Sequence, residues 1–187
     1  LRLGKPLDKS TDLGSLVSKT QFNRVSEMVQ EGLNHGGEIY QACDIDEKGN
    51  YYPPTLITDV DSSHPLVQEE IFGPVLTIYI FEDSEWINTL KMVDETSAYA
   101  LTGAIFARDS YAMEEAKSAL MHAAGNLYLN DKCTGAVVGQ QPFGGARASG
   151  TNDKAGSYLN LLRWVSPRTI KEVFVSPTDF RYPFLEN

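Results

Sequence analysis

Residues 133–152 read CTGAVVGQQPFGGARASGTN, and glycine fills five positions of this stretch. Glycine allows backbone conformations that other residues rarely adopt, so such a loop can bring its main-chain N–H groups close to a bound molecule. Val137, Val138 and Phe143 add apolar side chains, and an aromatic wall beside backbone donors is typical of a small-ligand pocket. The stretch contains neither GxxxxGKS/T nor GxGxxG, so it predicts no cradle for nucleotide phosphates. A long surface turn remains the alternative interpretation.

The loop directly follows an apolar stretch of strand length at residues 127–129. Upstream of it, apolar runs alternate with stretches of about 12 residues that have helical spacing. This alternation is typical of βαβ units and predicts an α/β fold with an open, mainly parallel sheet and flanking helices. Ligands bind outside the carboxyl ends of the strands in such sheets, where the glycine loop begins. Strands are predicted at residues 38–42, 75–81, 101–107, 127–129 and 168–175, and helices after Ser18 or Thr20, after Ser84 and over 110–124.

Three segments depart from this regular alternation. Pro53 and Pro54 lie inside residues 51–60, so that segment is predicted to be an edge strand or an irregular strand at best. Residues 1–167 show no internal boundary, whereas residues 168–187 are rich in Pro and aromatic residues and are predicted to project as a tail. The opening residues, LRLGKPLDKSTD, contain no Met and no signal-peptide core, which is compatible with a piece of a longer chain.

The composition is that of an ordinary globular protein, with 187 residues, 42% hydrophobic and 22% charged. A net charge of −9 argues against nucleic acid or an anionic membrane as the main partner. No apolar run approaches the roughly 20 residues of a membrane span. The two cysteines offer no disulfide framework, which indicates a reducing compartment. A cytoplasmic location is predicted, with the mitochondrial matrix as the alternative.

Two motifs together resemble a known superfamily. Residues 68–75, QEEIFGPV, and residues 142–150, PFGGARASG, resemble two motifs of the aldehyde dehydrogenases in order and separation. The longer run 130–156 and the closing LLRWVSPRTIKE resemble one branch, the Δ1-pyrroline-5-carboxylate dehydrogenases. The resemblance covers essentially the whole chain. It implies that residues 1–167 are the C-terminal part of the catalytic domain and that residues 168–187 form an oligomerisation arm of a dimer or higher homo-oligomer.

The resemblance implies that the first motif contacts the cofactor NAD. Glu70 matches the glutamate that accepts hydrogen bonds from the nicotinamide ribose hydroxyls, and Phe72 matches the phenylalanine that packs near the nicotinamide. A surface carboxylate and plain core packing are the alternative interpretations of these two residues. Gln21 and Arg24 match positions that can touch the cofactor, although a solvated helix face explains them equally well.

The resemblance implies that the glycine loop binds the substrate. Gly135 and Ala136 match residues whose backbone amides hold the substrate's α-carboxylate, and successive amides in a tight turn form an anion nest. Phe143 matches the aromatic residue that packs on the aliphatic part of the substrate. Together they are expected to select a short aliphatic aldehyde acid, and L-glutamate 5-semialdehyde fits that description.

No catalytic residue is assigned within these 187 residues. In the family, a cysteine thiolate forms a thiohemiacetal and then a thioester, and a glutamate base activates the hydrolytic water. The resemblance places both upstream of the matched region. Cys43 lies in a polar turn, and Cys133 is interpreted as a small loop residue. The three histidines lack ligand spacing, so no metal site is predicted. Arg147 and Lys154 are interpreted as solvated loop charges, with steering of an anionic substrate as the alternative.

Three hypotheses follow for the function. The first is the C-terminal portion of an NAD-dependent dehydrogenase that oxidises L-glutamate 5-semialdehyde to L-glutamate in proline catabolism. The second is an aldehyde dehydrogenase with a different substrate, because only the loop carries the substrate assignment. The third is a non-catalytic module of this fold for binding a small anion or for assembly. The choice between NAD and NADP is not determined by these residues.

Overall fold

A computed structural model of the chain describes residues 1–43, 47–133 and 135–185. Helices and strands alternate along it, which confirms the predicted α/β class. The helices are α1 (Lys19–Asn34), α2 (Pro65–Gln68), α3 (Trp86–Glu95), α4 (Ser110–Ala119) and α5 (Tyr158–Leu161). The strands are β1 (Glu38–Gln41), β2 (Thr55–Thr58), β3 (Val75–Thr77), β4 (Tyr99–Ala100), β5 (Thr102–Ile105), β6 (Asn126–Leu129) and β7 (Ala146–Arg147).

The first half of the chain packs helix α1 onto a three-stranded sheet. Ser18 caps the helix by accepting a hydrogen bond from the amide of Gln21, which decides between the two predicted caps, Ser18 and Thr20. In the sheet, β2 lies between β1, to which it is antiparallel, and β3, to which it is parallel. The core between helix and sheet is apolar because both elements present one hydrophobic face. It contains Phe22, Val25, Val29, Tyr52, Ile57, Leu66 and Ile71.

The central place of β2 corrects the prediction of an edge strand for residues 51–60. Pro53 and Pro54 precede the strand, which begins only at Thr55. The amide of Thr55 donates to the carbonyl of Pro74 at 2.9 Å, and its hydroxyl bonds to the carbonyl of Pro53 at 2.8 Å. The prolines therefore remove no donor from the ladder itself.

The second half contains a βαβ unit made of β5, α4 and β6. The two strands are parallel, with Thr102 opposite Asn126 and Ile105 opposite Leu129. Helices α3 and α4 cover them through a second core of Leu90, Ile105, Ala116 and Leu120. In the described part of the chain the strands form three small sheets, with two parallel and two antiparallel pairings. The strand arrangement is thus more mixed than the single, mainly parallel sheet predicted.

Several elements are shorter than the sequence pattern predicts. Helix α4 ends at Ala119 rather than at residue 124, and the strand predicted at 75–81 is formed only over Val75–Thr77. The shorter helix has a local reason. The chain turns after Leu120 so that the amide of Gly125 can donate to the carbonyl of Ala100 at 2.8 Å. The turn delivers the chain to β6, which leads into the glycine loop.

The C-terminal tail projects from the rest of the chain. Residues 165–185 are exposed, and Phe174 and Phe180 have 92% and 96% of their surface accessible. The strand predicted over 168–175 is not formed, because this segment pairs with no strand of the described chain. The division at residue 168 stays a prediction. None of the helices in the described ranges has the length and apolar character needed to cross a membrane.

Candidate functional site

The turn at residues 70–72 is held by two side chains of helix α1. Gln21 Nε2 donates to the carbonyl oxygens of Ile71 at 3.2 Å and of Phe72 at 3.0 Å. Arg24 Nη2 donates to the carbonyl of Glu70 at 3.3 Å. Both side chains therefore position the main chain of the first motif. The sequence did not predict this role; Arg24 is also exposed, and whether either side chain contacts the cofactor stays a prediction.

The backbone of the turn divides its side chains between the core and the surface. Ile71 is buried, whereas Phe72 is 72% exposed and has a φ of 57°, which is uncommon for a residue other than glycine. Gly73 follows, and a Cβ there would lie 2.8 Å from Cγ2 of Val25 on α1. Core packing is therefore excluded for Phe72, and the motif presents its ring outward.

Glu70 and Phe72 border two clefts of about 350 and 360 Å³. The larger cleft is also lined by Arg24, Gln68 and residues 96–99. Within the described ranges, the Glu70 carboxylate has no hydrogen-bond or ion-pair partner, so its oxygens are available as acceptors. An exposed carboxylate beside an exposed aromatic ring fits the ribose and the flat ring of a nicotinamide nucleotide.

Strand β4 connects this cleft to the second motif. Tyr99 and Ala100 pair with Arg147 and Ala146 of β7, which belongs to the PFGGARASG segment. The Ala100 amide also donates to Ser149 Oγ at 2.9 Å. Residues 96–99 thus line the Glu70 cleft and lead into β4. Strand β4 pairs with β7, which follows the glycine loop. The order of the two motifs in the sequence did not reveal this connection.

Phe143 is held on both sides by main-chain and side-chain bonds. Its amide donates to the carbonyl of Ala155 at 2.9 Å, and its carbonyl accepts from the Ala155 amide at 2.7 Å. The Asn126 side chain donates to the Pro142 carbonyl and accepts from the Gly144 amide, each at 3.2 Å. The Phe143 ring remains 37% exposed. The structure therefore fixes the backbone of Phe143 while leaving part of its ring accessible.

The glycines of the loop serve two different purposes. Gly135 and Gly139 have φ values of 102° and 78°, a region that favours glycine. Gly145 is needed for space instead, since a Cβ there would lie 2.9 Å from the carbonyl oxygen of Ser149. Close approach of one backbone to another is thus as important in this loop as backbone freedom.

Gly135 is exposed and Ala136 is half-buried, and both lie just before the turn at residues 138–140. Neither amide donates a hydrogen bond to any other residue that the structure describes. The turn is closed further along, where the amide of Gly139 donates to the carbonyl of Gly156 at 2.9 Å. The cleft at Glu70 and Phe72 is lined by other residues, so the single chain does not unite the cofactor and substrate candidates in one cavity.

The two basic residues of this region are engaged in specific contacts. Arg147 forms an ion pair with Asp94 at 2.5 Å and also donates to the Asp94 carbonyl. Lys154 Nζ donates to the Gly125 carbonyl at 2.5 Å and to Asn126 Oδ1 at 3.2 Å. The prediction of a solvated loop charge is therefore wrong for Lys154, whose contacts are part-buried, whereas Arg147 is exposed but paired. Neither ammonium nor guanidinium group is free to steer a substrate in this arrangement.

The cysteines and histidines show no assembled reactive site. Cys43 and Cys133 are exposed free thiols. His64 is buried and structural, since its Nδ1 accepts from the Leu66 amide at 3.2 Å and its Nε2 lies 3.0 Å from the Gly32 carbonyl. Across residues 1–43, 47–133 and 135–185, no three His, Cys, Asp or Glu side chains are grouped as metal ligands.

Comparison with known families decides what these motifs are. The aldehyde dehydrogenase family profile matches residues 1–170. The chain belongs to the aldehyde dehydrogenase family. The resemblance inferred from QEEIFGPV and PFGGARASG is thereby confirmed.

Individual family members are similar along the whole chain. The mitochondrial Δ1-pyrroline-5-carboxylate dehydrogenase of Dictyostelium discoideum is 52% identical over 187 residues, which cover 99% of this chain and 34% of the relative. The crystal structure of the enzyme of that name from Mycobacterium tuberculosis is 42% identical with a TM-score of 0.79, covering 99% of this chain and 34% of the other. Its complex with NAD has a TM-score of 0.77, with 42% identity and coverages of 98% and 34%. The chain spans about a third of these aldehyde dehydrogenases.

Sequence reasoning missed the role of Asn126 in this aldehyde dehydrogenase. Asn126 opens strand β6, although asparagine is disfavoured in strands. That mismatch is a signal that the side chain is needed for hydrogen bonding. Its partners, Pro142 and Gly144, lie in a different segment, so the sequence alone could not name them.

Proposed function

We propose that the chain is the C-terminal third of an NAD-dependent aldehyde dehydrogenase that oxidises L-glutamate 5-semialdehyde, which forms from 1-pyrroline-5-carboxylate, to L-glutamate in proline catabolism. The nucleophilic cysteine and the general-base glutamate would come from the part of the enzyme that precedes these residues. The observation that carries the proposal is the 52% identity to the Dictyostelium discoideum Δ1-pyrroline-5-carboxylate dehydrogenase over 99% of this chain.

Glu70 and Phe72 would bind the nicotinamide half of NAD. The cofactor, when bound, accepts a hydride from the substrate. The free oxygens of Glu70 would accept hydrogen bonds from the ribose hydroxyls, which is a charge-assisted interaction. The exposed ring of Phe72 would limit the positions of the nicotinamide. Gln21 would keep the main chain of Phe72 in place, and Arg24 that of Glu70. The NAD complex of the Mycobacterium tuberculosis enzyme supports NAD as the cofactor.

Gly135, Ala136 and Phe143 would bind the substrate. The free amides of Gly135 and Ala136 suit the α-carboxylate, because adjacent N–H groups in a turn create a concave anion site. Ala136 offers only its main-chain N–H there, since its side chain carries no donor. Phe143, with its fixed backbone and accessible ring, would pack on the methylene groups between the carboxylate and the aldehyde.

The tail would place the enzyme in a homo-oligomer, a dimer or larger. Residues 165–185 expose many apolar side chains, among them Ile170, Phe174, Phe180 and Phe184. Exposed apolar surface of this extent is unfavourable in a monomer and marks an interaction site. A second copy of the chain would supply the strand partner that residues 168–175 lack in the single chain.

The compartment follows from the relatives rather than from the fold. The Dictyostelium discoideum enzyme is mitochondrial by name, which supports the matrix, the alternative to the cytoplasm. Both compartments are reducing and compatible with the free thiols of Cys43 and Cys133.

The test is a comparison of two aldehydes on the complete subunit that contains this chain. NADH formation is measured with L-glutamate 5-semialdehyde and with propanal. We expect a much higher kcat/KM for the aldehyde acid, because propanal has no carboxylate for the amides of Gly135 and Ala136. Equal kcat/KM values would indicate an aldehyde dehydrogenase with another substrate. A folded subunit that forms no NADH but is stabilised by glutamate would support a non-catalytic binding module.

A further inference from the structure

The Asn126 side chain joins the two residues that flank Phe143. Its Nδ2 donates to the carbonyl of Pro142 at 3.2 Å, and its Oδ1 accepts from the amide of Gly144 at 3.2 Å. Both bonds lie in a part-buried environment, where an unmade hydrogen bond is costly. One side chain thus determines the path of the main chain on either side of Phe143.

Lys154 determines the orientation of the Asn126 amide. Its Nζ donates to Asn126 Oδ1 at 3.2 Å and to the Gly125 carbonyl at 2.5 Å. Oδ1 therefore faces two donors, the ammonium of Lys154 and the amide of Gly144. A flipped amide would present its own N–H groups to these donors and an oxygen to the Pro142 carbonyl. Only the observed orientation satisfies all partners.

The surrounding backbone leaves little room for adjustment. A Cβ on Gly125 would lie 1.9 Å from the carbonyl oxygen of Gly144, so the two segments touch through their main chains. The main chain of Phe143 is bonded in both directions to Ala155. A shift of the Asn126 amide would therefore be transmitted to Phe143 rather than absorbed by a flexible loop.

We propose that Asn126 and Lys154 form a positioning pair that sets the place of the Phe143 ring and thereby the length of aldehyde acid that the enzyme prefers. This inference rests on the proposed role of Phe143 in substrate binding. In this proposal, neither Asn126 nor Lys154 touches the substrate. Both act through the main chain of residues 142–144, and a small displacement of a positioning group has a large effect on specificity.

The test uses the complete subunit and three variants, Asn126→Ala, Asn126→Asp and Lys154→Met. We measure the ratio of kcat/KM for L-glutamate 5-semialdehyde to kcat/KM for L-aspartate 4-semialdehyde, which is one methylene shorter. Asn126→Ala is expected to lower this ratio about tenfold through a higher KM for the longer substrate, with the KM for NAD unchanged. Asn126→Asp keeps the acceptor for Gly144 and Lys154, so its ratio should fall less.

The decisive measurement is a double-mutant cycle with Phe143→Ala. If Asn126 acts through Phe143, then Asn126→Ala adds little to the loss already caused by Phe143→Ala. Asn88→Ala is the matched control, because Asn88 lies on the surface of α3 and bonds only to Glu85 among the described residues. Lys154→Met removes the donor that Lys154 offers to the Asn126 side chain. Its kcat/KM ratio therefore tests the proposal if Asn126→Ala does not fold.

The outcomes separate this inference from the proposed function. A normal ratio in Asn126→Ala and Lys154→Met, together with a reduced ratio in Phe143→Ala, would overturn the positioning pair alone. A normal ratio in Phe143→Ala would overturn both the role of Phe143 and the inference that depends on it. Additive losses in the double variant would show that Asn126 acts independently of Phe143, which also contradicts the proposal.

Discussion

Gln21 shows how a side chain of one element can hold the main chain of a distant motif. Its amide group donates to two successive carbonyls, those of Ile71 and Phe72. Phe72 has a φ of 57°, which costs free energy unless the surroundings hold it there. The two hydrogen bonds are the contacts that oppose this cost. The exposed position of the Phe72 ring therefore depends on a helix that lies about 50 residues earlier in the chain.

Replacing Gln21 by Met is expected to weaken the binding of NAD to the complete subunit. Met has a similar shape but cannot donate, and two hydrogen bonds of about 1 kcal/mol each predict a Kd roughly tenfold higher or more. The measurement is calorimetric titration with NAD. Gln30→Met is the control, because Gln30 is exposed on the same helix. An unchanged Kd in Gln21→Met would show that the turn holds its shape without these bonds.

Replacing Gly125 by Ala is expected to destabilise the chain strongly. The new Cβ would lie 1.9 Å from the Gly144 carbonyl oxygen, and main-chain atoms cannot move aside as a flexible side chain does. We expect a loss of about 3 kcal/mol in the free energy of unfolding, measured with urea. Gly103→Ala is the matched control, since its Cβ would meet Ala124 at 3.4 Å. Equal losses in the two variants would contradict the close approach seen here.

At the scale of elements, one ion pair ties the segment after the loop to the turn that follows α5. Asp153 accepts hydrogen bonds from Thr151 Oγ1 and from Arg163 Nε at 2.6 Å. These bonds, that from Thr151 foremost, hold the pKa of Asp153 below its ordinary value of 3.8. The carboxylate form is therefore favoured in the folded chain. It connects the segment after the glycine loop to residues 162–164, which precede the tail.

The low pKa of Asp153 predicts how stability depends on pH. The contribution is fully present above the ordinary pKa and is lost as pH falls through the lower pKa of the folded chain. We expect Asp153→Asn to lower the urea midpoint at pH 6, with the difference from the natural chain disappearing as the pH falls below the ordinary pKa of 3.8. A difference that persists at the lowest pH would show that charge is not responsible.

At the scale of the whole molecule, the tail leaves apolar side chains uncovered in the described chain. Its aromatic side chains, such as Phe174 and Phe180, are almost fully exposed, and it forms no strand within the described chain. An extended segment of this kind pairs its main-chain groups only when another strand is supplied. Association of subunits would bury the apolar surface and provide hydrogen-bond partners for the unpaired backbone.

Removing residues 168–187 from the complete subunit is expected to produce monomers. The natural protein should elute as a dimer or larger species, and the shortened one at the mass of one subunit, by size-exclusion chromatography with light scattering. A double variant, Phe174→Ser with Phe180→Ser, keeps the tail and should shift the equilibrium partly from the oligomer to the monomer. A shortened protein that keeps the natural mass would show that the interface lies elsewhere.

The sequence predicted the family from two motifs because each motif is local. QEEIFGPV and PFGGARASG are runs of adjacent residues, so their chemistry was readable without a fold. Ser18 was recognised as a helix cap for the same reason. The edge-strand prediction for residues 51–60 was wrong because the pattern does not show where pairing begins, and the strand starts just beyond Pro54.

The sequence by itself determined the family, the α/β class and the residue types available for cofactor and substrate, since these follow from the order of side chains along the chain. Only the tertiary structure decided that Gln21 and Lys154 bond to distant segments, 51 and 28 residues away, and that Phe72 faces outward. The physical reason is that a hydrogen bond requires its two groups within about 3 Å. Which groups come so close is decided when helices and strands pack, and no local pattern records it.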